Sequence, residues 1–235
     1  MTSTWKSAAD TLVRDLRNVF GPRLLAVVAY GPRIEGADGD PLTCLALVES
    51  LTPEDLQACA QNVRRWARAL IATPLIVPRD EFMRSLDTFP LEYGEIIRAH
   101  ELVFGDSPFS SAAIAPEDLR RACEQQAKSH LLHLREGFIE SGGRPTDVAE
   151  LVATSAPAFT LLLRNVARLS SVTTSDRGEV TRAGARAVGI PEELVADMLN
   201  LERHTGIPAT DPSRLFPEYL AAVEQLARAV DGWRA

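Results

Sequence analysis

The chain has 235 residues, 46% hydrophobic and 24% charged, with a formal net charge of −7. That balance is typical of a packed globular chain and excludes wholesale disorder, and the length allows one large domain or two modest ones. The acidity disfavours nucleic acid as a partner, because sequence-independent binding calls for basic faces.

The N-terminal stretch "MTSTWKSAADTLVRDL" has no apolar leader region, and no apolar run is expected to reach membrane-spanning length. Cys44, Cys59 and Cys123 are odd in number and widely spread, which makes neither a disulfide framework nor a metal knuckle. These features together predict a cytoplasmic protein without a membrane partner.

In chain order, Ala8, Leu12, Leu16 and Val19 recur at helical spacing, and Gly21-Pro22 ends that helix. "LLAVVAY", Leu24 to Tyr30, is a continuous apolar run of the kind a buried strand shows, and "PLTCLALVE" reads as a second strand. Thr52, Pro53, Glu54 and Asp55 supply an N-cap, a first-turn proline and two acids at the positive helix end. The helix they open is predicted to reach Leu70. "PLIV" is a third strand, "PLEYGEIIRAH" a short helix and "ELVFG" an edge strand. Gly, Ser and Pro in "GDSPFSSAAIAPEDL" mark a linker. Beyond it the apolar stripes are helical almost throughout. One runs from Leu119 to Phe138 and stops at Gly142-Gly143. Another runs from Leu151 to Leu169 with Pro157 inside it. An antiparallel helix bundle follows from that pattern.

Helix, strand with a small-residue turn at Tyr30-Gly31-Pro32, strand, helix, strand: this order resembles the nucleotidyltransferase fold of the polymerase-beta superfamily, particularly its small bacterial members. The junction "PLEYGEIIRAHELVFGDSPF" and the helix "LRRACEQQAKSHLLHLREGFIE" extend the resemblance over nearly the whole chain. The resemblance implies an α/β (α+β) nucleotidyltransferase-like domain with a small mixed sheet over residues 1–106. It implies a linker at 107–114, an all-α bundle over 115–235 and a ligand cleft between the two domains.

In that family the strand after the turn carries Asp-x-Asp or Asp-x-Glu. Side chains at i and i+2 share a face, so two carboxylates there can hold Mg²⁺ on a nucleoside triphosphate. The backbone N–H groups of the turn meet phosphate oxygens. Counted from Gly31, the acid positions fall on Thr43 and Leu45, and neither is a carboxylate. Asp38 and Asp40 keep the i, i+2 spacing, but Gly39 and Pro41 mark a loop rather than a strand.

Other candidate residues each have a plain structural role beside the functional one. Tyr30, Gly31, Pro32 and Arg33 can meet an anion or form a tight strand exit with a solvated Arg. Glu92 can point into the cleft or cap the helix that begins at Pro90. Lys128 and His133 can face the cleft, whereas His130 falls on an apolar stripe where a hydrogen-bonded core histidine is the ordinary outcome. No complete zinc set is legible. Arg64, Arg65 and Arg68 read as a solvated face.

Two functions follow. The first is a catalytically degenerate nucleotidyltransferase homologue acting as a ligand-binding or regulatory module for a small molecule or nucleotide, with no cofactor expected. The alternative is an active enzyme that uses Asp38 and Asp40 with Mg²⁺ and a nucleoside triphosphate to modify a small molecule or protein. Homo-oligomer assembly through the bundle is a third role.

Overall fold

The computed structural model describes residues 4–37, 39–110, 112–170, 172, 176–203 and 212–233. They form two compact units, 1–114 and 115–235.

In the first unit, α1 (Thr4–Phe20) leads through one 3₁₀ turn into β1 (Leu24–Tyr30), and β2 (Thr43–Val48) follows. Two short helices, α2 (Pro53–Ala60) and α3 (Val63–Arg68), precede β3 (Leu75–Pro78). Then come α4 (Arg79–Arg84), α5 (Pro90–Arg98) and β4 (His100–Gly105). The sheet order is β3-β2-β1-β4. β1 runs antiparallel to β2 and β4, and β2 runs parallel to β3, so the sheet is mixed, with β4 on one edge.

β1 and β2 are apolar at nearly every position because both of their faces are covered. On one face, Val27, Ala29, Cys44, Ala46 and Val48 pack with Leu12, Leu16 and Phe20 of α1, Cys59 of α2 and Trp66 of α3. On the other, Val28, Leu45 and Leu47 pack with Val77, Phe82, Leu86, Tyr93, Ile96 and Phe109. The burial of Asp15 among apolar groups is compensated by two donors, Trp66 Nε1 at 2.9 Å and the Arg65 guanidinium at 2.5 Å. Arg65 is thus the outer partner that fastens α3 to α1.

Thr52 caps α2 as its residue type predicts: its hydroxyl accepts from Asp55 N–H, while Asp55 accepts from Thr52 N–H. Asp55 also takes both nitrogens of the Arg23 guanidinium at 2.7 Å. That bidentate pair holds the carboxyl well below the usual carboxylate range, and the Thr52 bonds add to it. The single helix expected up to Leu70 is broken at Gln61-Asn62. There the Asn62 side chain donates to Ala58 C=O and competes with the helical ladder.

The second unit holds α6 (Pro116–Ser141), α7 (Pro145–Leu169), α8 (Arg177–Ala187), α9 (Glu192–Arg203) and α10 (Phe216–Asp231). α6 stops at Gly142, whose φ of +60° is the left-handed conformation that glycine adopts freely. α7 continues through Pro157. By length and composition α7 is apolar enough to cross a membrane, contrary to the sequence expectation. Val152, Phe159, Leu162, Leu163 and Val166 are nevertheless completely buried in the bundle, as in the core helix of a globular unit.

Two polar features sit inside this bundle. His130 of α6 is buried, with Nε2 2.7 Å from the Tyr219 hydroxyl of α10. Arg164 of α7 is 2% exposed and, with Arg177 of α8, faces Glu202 of α9 at 3.4 and 2.7 Å.

Burial, with a smaller contribution from His133, pushes the His130 ring down from 6.5 to about 4. The unfolded chain therefore binds the extra proton first, and stability falls as pH drops from the unfolded value towards the folded one. The expected loss between about pH 7 and pH 5 is about 2 kcal/mol, rising to about 3 kcal/mol near pH 4. Urea unfolding followed by circular dichroism at these pH values checks it. His130→Gln, which keeps a partner for Tyr219, should remove most of that pH dependence.

Candidate functional site

The feature that organises the site is the exit of β1. Tyr30 pairs with Thr43 of β2 on one side and with His100 of β4 on the other. Tyr30 packs on the cluster that contains Leu45 and Phe82. Thr43 shares the face of Leu45 by strand alternation. The His100 ring meets Phe109 of that same cluster edge-on, with centroids 4.7 Å apart. Thr43, Tyr30 and His100 thus form one cross-strand row on one face, and all three are half-buried.

Below this row lies an aromatic floor. Phe82 and Tyr93 have centroids 4.6 Å apart, and Phe82 and Phe109 5.6 Å. Burial pushes the phenols of Tyr30 and Tyr93 up, so both stay neutral donors at ordinary pH. Leu45 is 0% exposed within this cluster.

The turn after Tyr30 fits closely. Gly31 has φ +83°, and a Cβ there would stand 2.9 Å from Thr43 Oγ1. The Thr43 hydroxyl donates to Tyr30 C=O at 2.5 Å. Pro32 C=O accepts from the N–H groups of Glu35 and Ala37. Arg33, expected at the surface or on an anion, is 6% exposed, and its Nη1 donates to Asp40 C=O at 2.5 Å. The guanidinium is therefore turned into its own loop, where it braces the chain.

The remaining sequence candidates lie elsewhere. Asp40 is an exposed turn residue whose N–H donates to Ala37 C=O, and Asp38 lies outside the described residues. Glu92 is exposed in the first turn of α5, and that helix has no side-chain cap. Lys128 is ion-paired at 2.6 Å with both Glu124 and Asp231, beside a hollow of about 310 Å³ on α6 and α10. His133 is exposed, with Nδ1 3.3 Å from Ser129 Oγ. The structure brings Tyr30, Gly31, Pro32 and Thr43 together. It adds His100, which the sequence pattern absorbs into a helix end.

The group implied by the fold family, divalent cations on a nucleoside triphosphate, needs clustered carboxylates. At positions 43 and 45 stand a hydroxyl already donating to a carbonyl and a leucine sealed in an apolar cluster. Among the described residues no three His, Cys, Asp or Glu side chains are grouped to hold a metal ion. The side chains at positions 43 and 45 do not fit that group.

No family model and no curated protein matches the chain. Among solved structures, it is similar to the spectinomycin adenyltransferase AAD(9) from Enterococcus faecialis, crystallised with ATP and spectinomycin. The identity is 14% and the TM-score 0.59, over 94% of this chain and 98% of that one. At that identity the likeness concerns architecture, and the chain has a nucleotidyltransferase-like fold.

Proposed function

We propose that this chain is a catalytically degenerate nucleotidyltransferase homologue that uses the scaffold as a ligand-binding or regulatory module. The observation that carries this reading is Leu45. It occupies the strand position where a metal-binding acid is expected, and it is buried beneath aromatic side chains instead of facing solvent. A carboxylate pair cannot be replaced there by a hydroxyl and a leucine, because hard cations demand anionic oxygen. Thr43 and the Gly31 turn support the same reading, since they retain the strand-exit geometry without the charge.

The test is pyrophosphate release. The intact protein, supplied with Mg²⁺, each common nucleoside triphosphate, and spectinomycin or a protein acceptor, should release none above a protein-free control. Turnover abolished by Asp38→Ala or Asp40→Ala would overturn the proposal and establish the alternative enzyme.

A further inference from the structure

The outer side of β4 is an open sheet edge. β4 pairs with β1, and among the described residues no backbone hydrogen bond joins it to any other segment. Such an edge presents N–H and C=O groups on which a further strand can form. The register slips at Val103, which has no partner on β1, between Leu102 opposite Val28 and Phe104 opposite Val27. This bulge sets Val103 and Phe104 against the same cluster that α1 covers, while Leu102 stays 45% exposed.

Beside the edge, α1 and β4 enclose a hollow of about 400 Å³. Val13 and Val103, both half-buried, give it an apolar floor. Its rim carries Arg14 and Arg17, exposed and one helical turn apart, with Asn18 next to them. The Arg17 guanidinium lies over the Phe104 ring at 5.6 Å. Asp10 shares the hollow, and Glu101, opposite Ala29, lies on the same sheet face. Neither acid reaches an arginine, and Arg14 and Arg17 have no ion pair among the described residues. Exposed arginines elsewhere, Arg121, Arg135 and Arg186 among them, each hold a carboxylate. An apolar floor, a cationic rim and an unpaired strand edge thus lie side by side. An extended chain with carboxylates on one face complements all three.

We propose that the β4 edge and the Arg14–Arg17 rim dock an extended acidic peptide segment of a partner protein, added to the four-stranded sheet as a fifth strand. Its main chain pairs with β4, and its carboxylates meet the two guanidiniums. A second copy of this chain fits less well. Antiparallel pairing of two β4 edges would bring a second Arg14 and Arg17 to the same side, and the bulge also discourages it. This docking does not depend on what the β1 exit binds.

Fluorescence anisotropy of the intact protein with a labelled hexapeptide of alternating Glu and Val, matched to the six residues of β4, tests it. Alternation puts the carboxylates on one face. The peptide should bind saturably, and amide signals of Leu102, Val103 and Phe104 should shift in ¹⁵N spectra. Exchanging every Glu for Lys should abolish binding. Methylating the peptide's backbone nitrogens, which removes ladder donors and keeps the charge, should abolish it too. Arg14→Gln with Arg17→Gln, both at the surface, should weaken binding about tenfold with an unchanged circular dichroism spectrum. Absence of binding, or binding indifferent to backbone methylation or to the double variant, overturns the site. Equal binding of single-stranded DNA overturns the peptide partner. A dimer seen by light scattering that excludes the peptide gives the edge to a second copy and overturns it as well.

Discussion

Leu45→Asp, the substitution that restores a family-like acid, should unfold the first unit rather than create a metal site. Leu45 is wholly enclosed with Val77, Phe82 and Tyr93. No cation is placed to pair with a carboxylate among those neighbours, so the charge would be buried uncompensated. The expected cost is about 3–5 kcal/mol, a large share of the stability of a unit this size. Leu45→Val, which changes shape without charge, should cost about 1 kcal/mol. Urea unfolding monitored by tryptophan fluorescence separates the two, since Trp5 and Trp66 both lie in this unit. A folded Leu45→Asp protein of near-native stability would show that the cluster opens easily and would weaken the argument for a closed site.

Glu202→Ala should destabilise the bundle markedly. It removes the carboxylate that Arg164 and Arg177 share and leaves the 2%-exposed Arg164 guanidinium inside the protein. Losing hydrogen bonds to a charged group inside the bundle costs about 2–3 kcal/mol. The companion variant Glu202→Leu with Arg164→Met replaces charge by apolar volume and should recover most of that loss. Chemical denaturation of the three proteins checks the order. If Glu202→Ala and the double variant were equally stable, the cluster would be too well hydrated to behave as a buried pair.

Much of the architecture is legible in the residues themselves. The apolar run Leu24 to Tyr30, the Thr52–Asp55 cap and the Gly142 stop each carry a local physical signal, and each stands where that signal puts it. The break at Asn62 has no such signal. The apolar spacing continues across it, and only the side-chain bond to Ala58 C=O interrupts the helix. The site divides the same way. Thr43 and Leu45 are found by counting from Gly31 and applying strand alternation. Arg33 is misleading because charge alone suggests a solvated or anion-bound tip, whereas its guanidinium braces Asp40 C=O. His100 is invisible because its importance comes from pairing β4 next to β1, a choice of neighbour made between segments far apart in sequence.

The Arg23–Asp55 clasp has a further consequence for how the first unit forms. It joins residues 32 positions apart, closing the excursion that contains both inner strand β2 and the start of α2. Such a contact can form only after the intervening chain has folded back, because loop closure precedes it. If its stabilisation arrives after the rate-limiting step, the clasp acts as a latch on the finished unit, and Arg23→Ala should speed unfolding while leaving the folding rate almost unchanged in stopped-flow measurements.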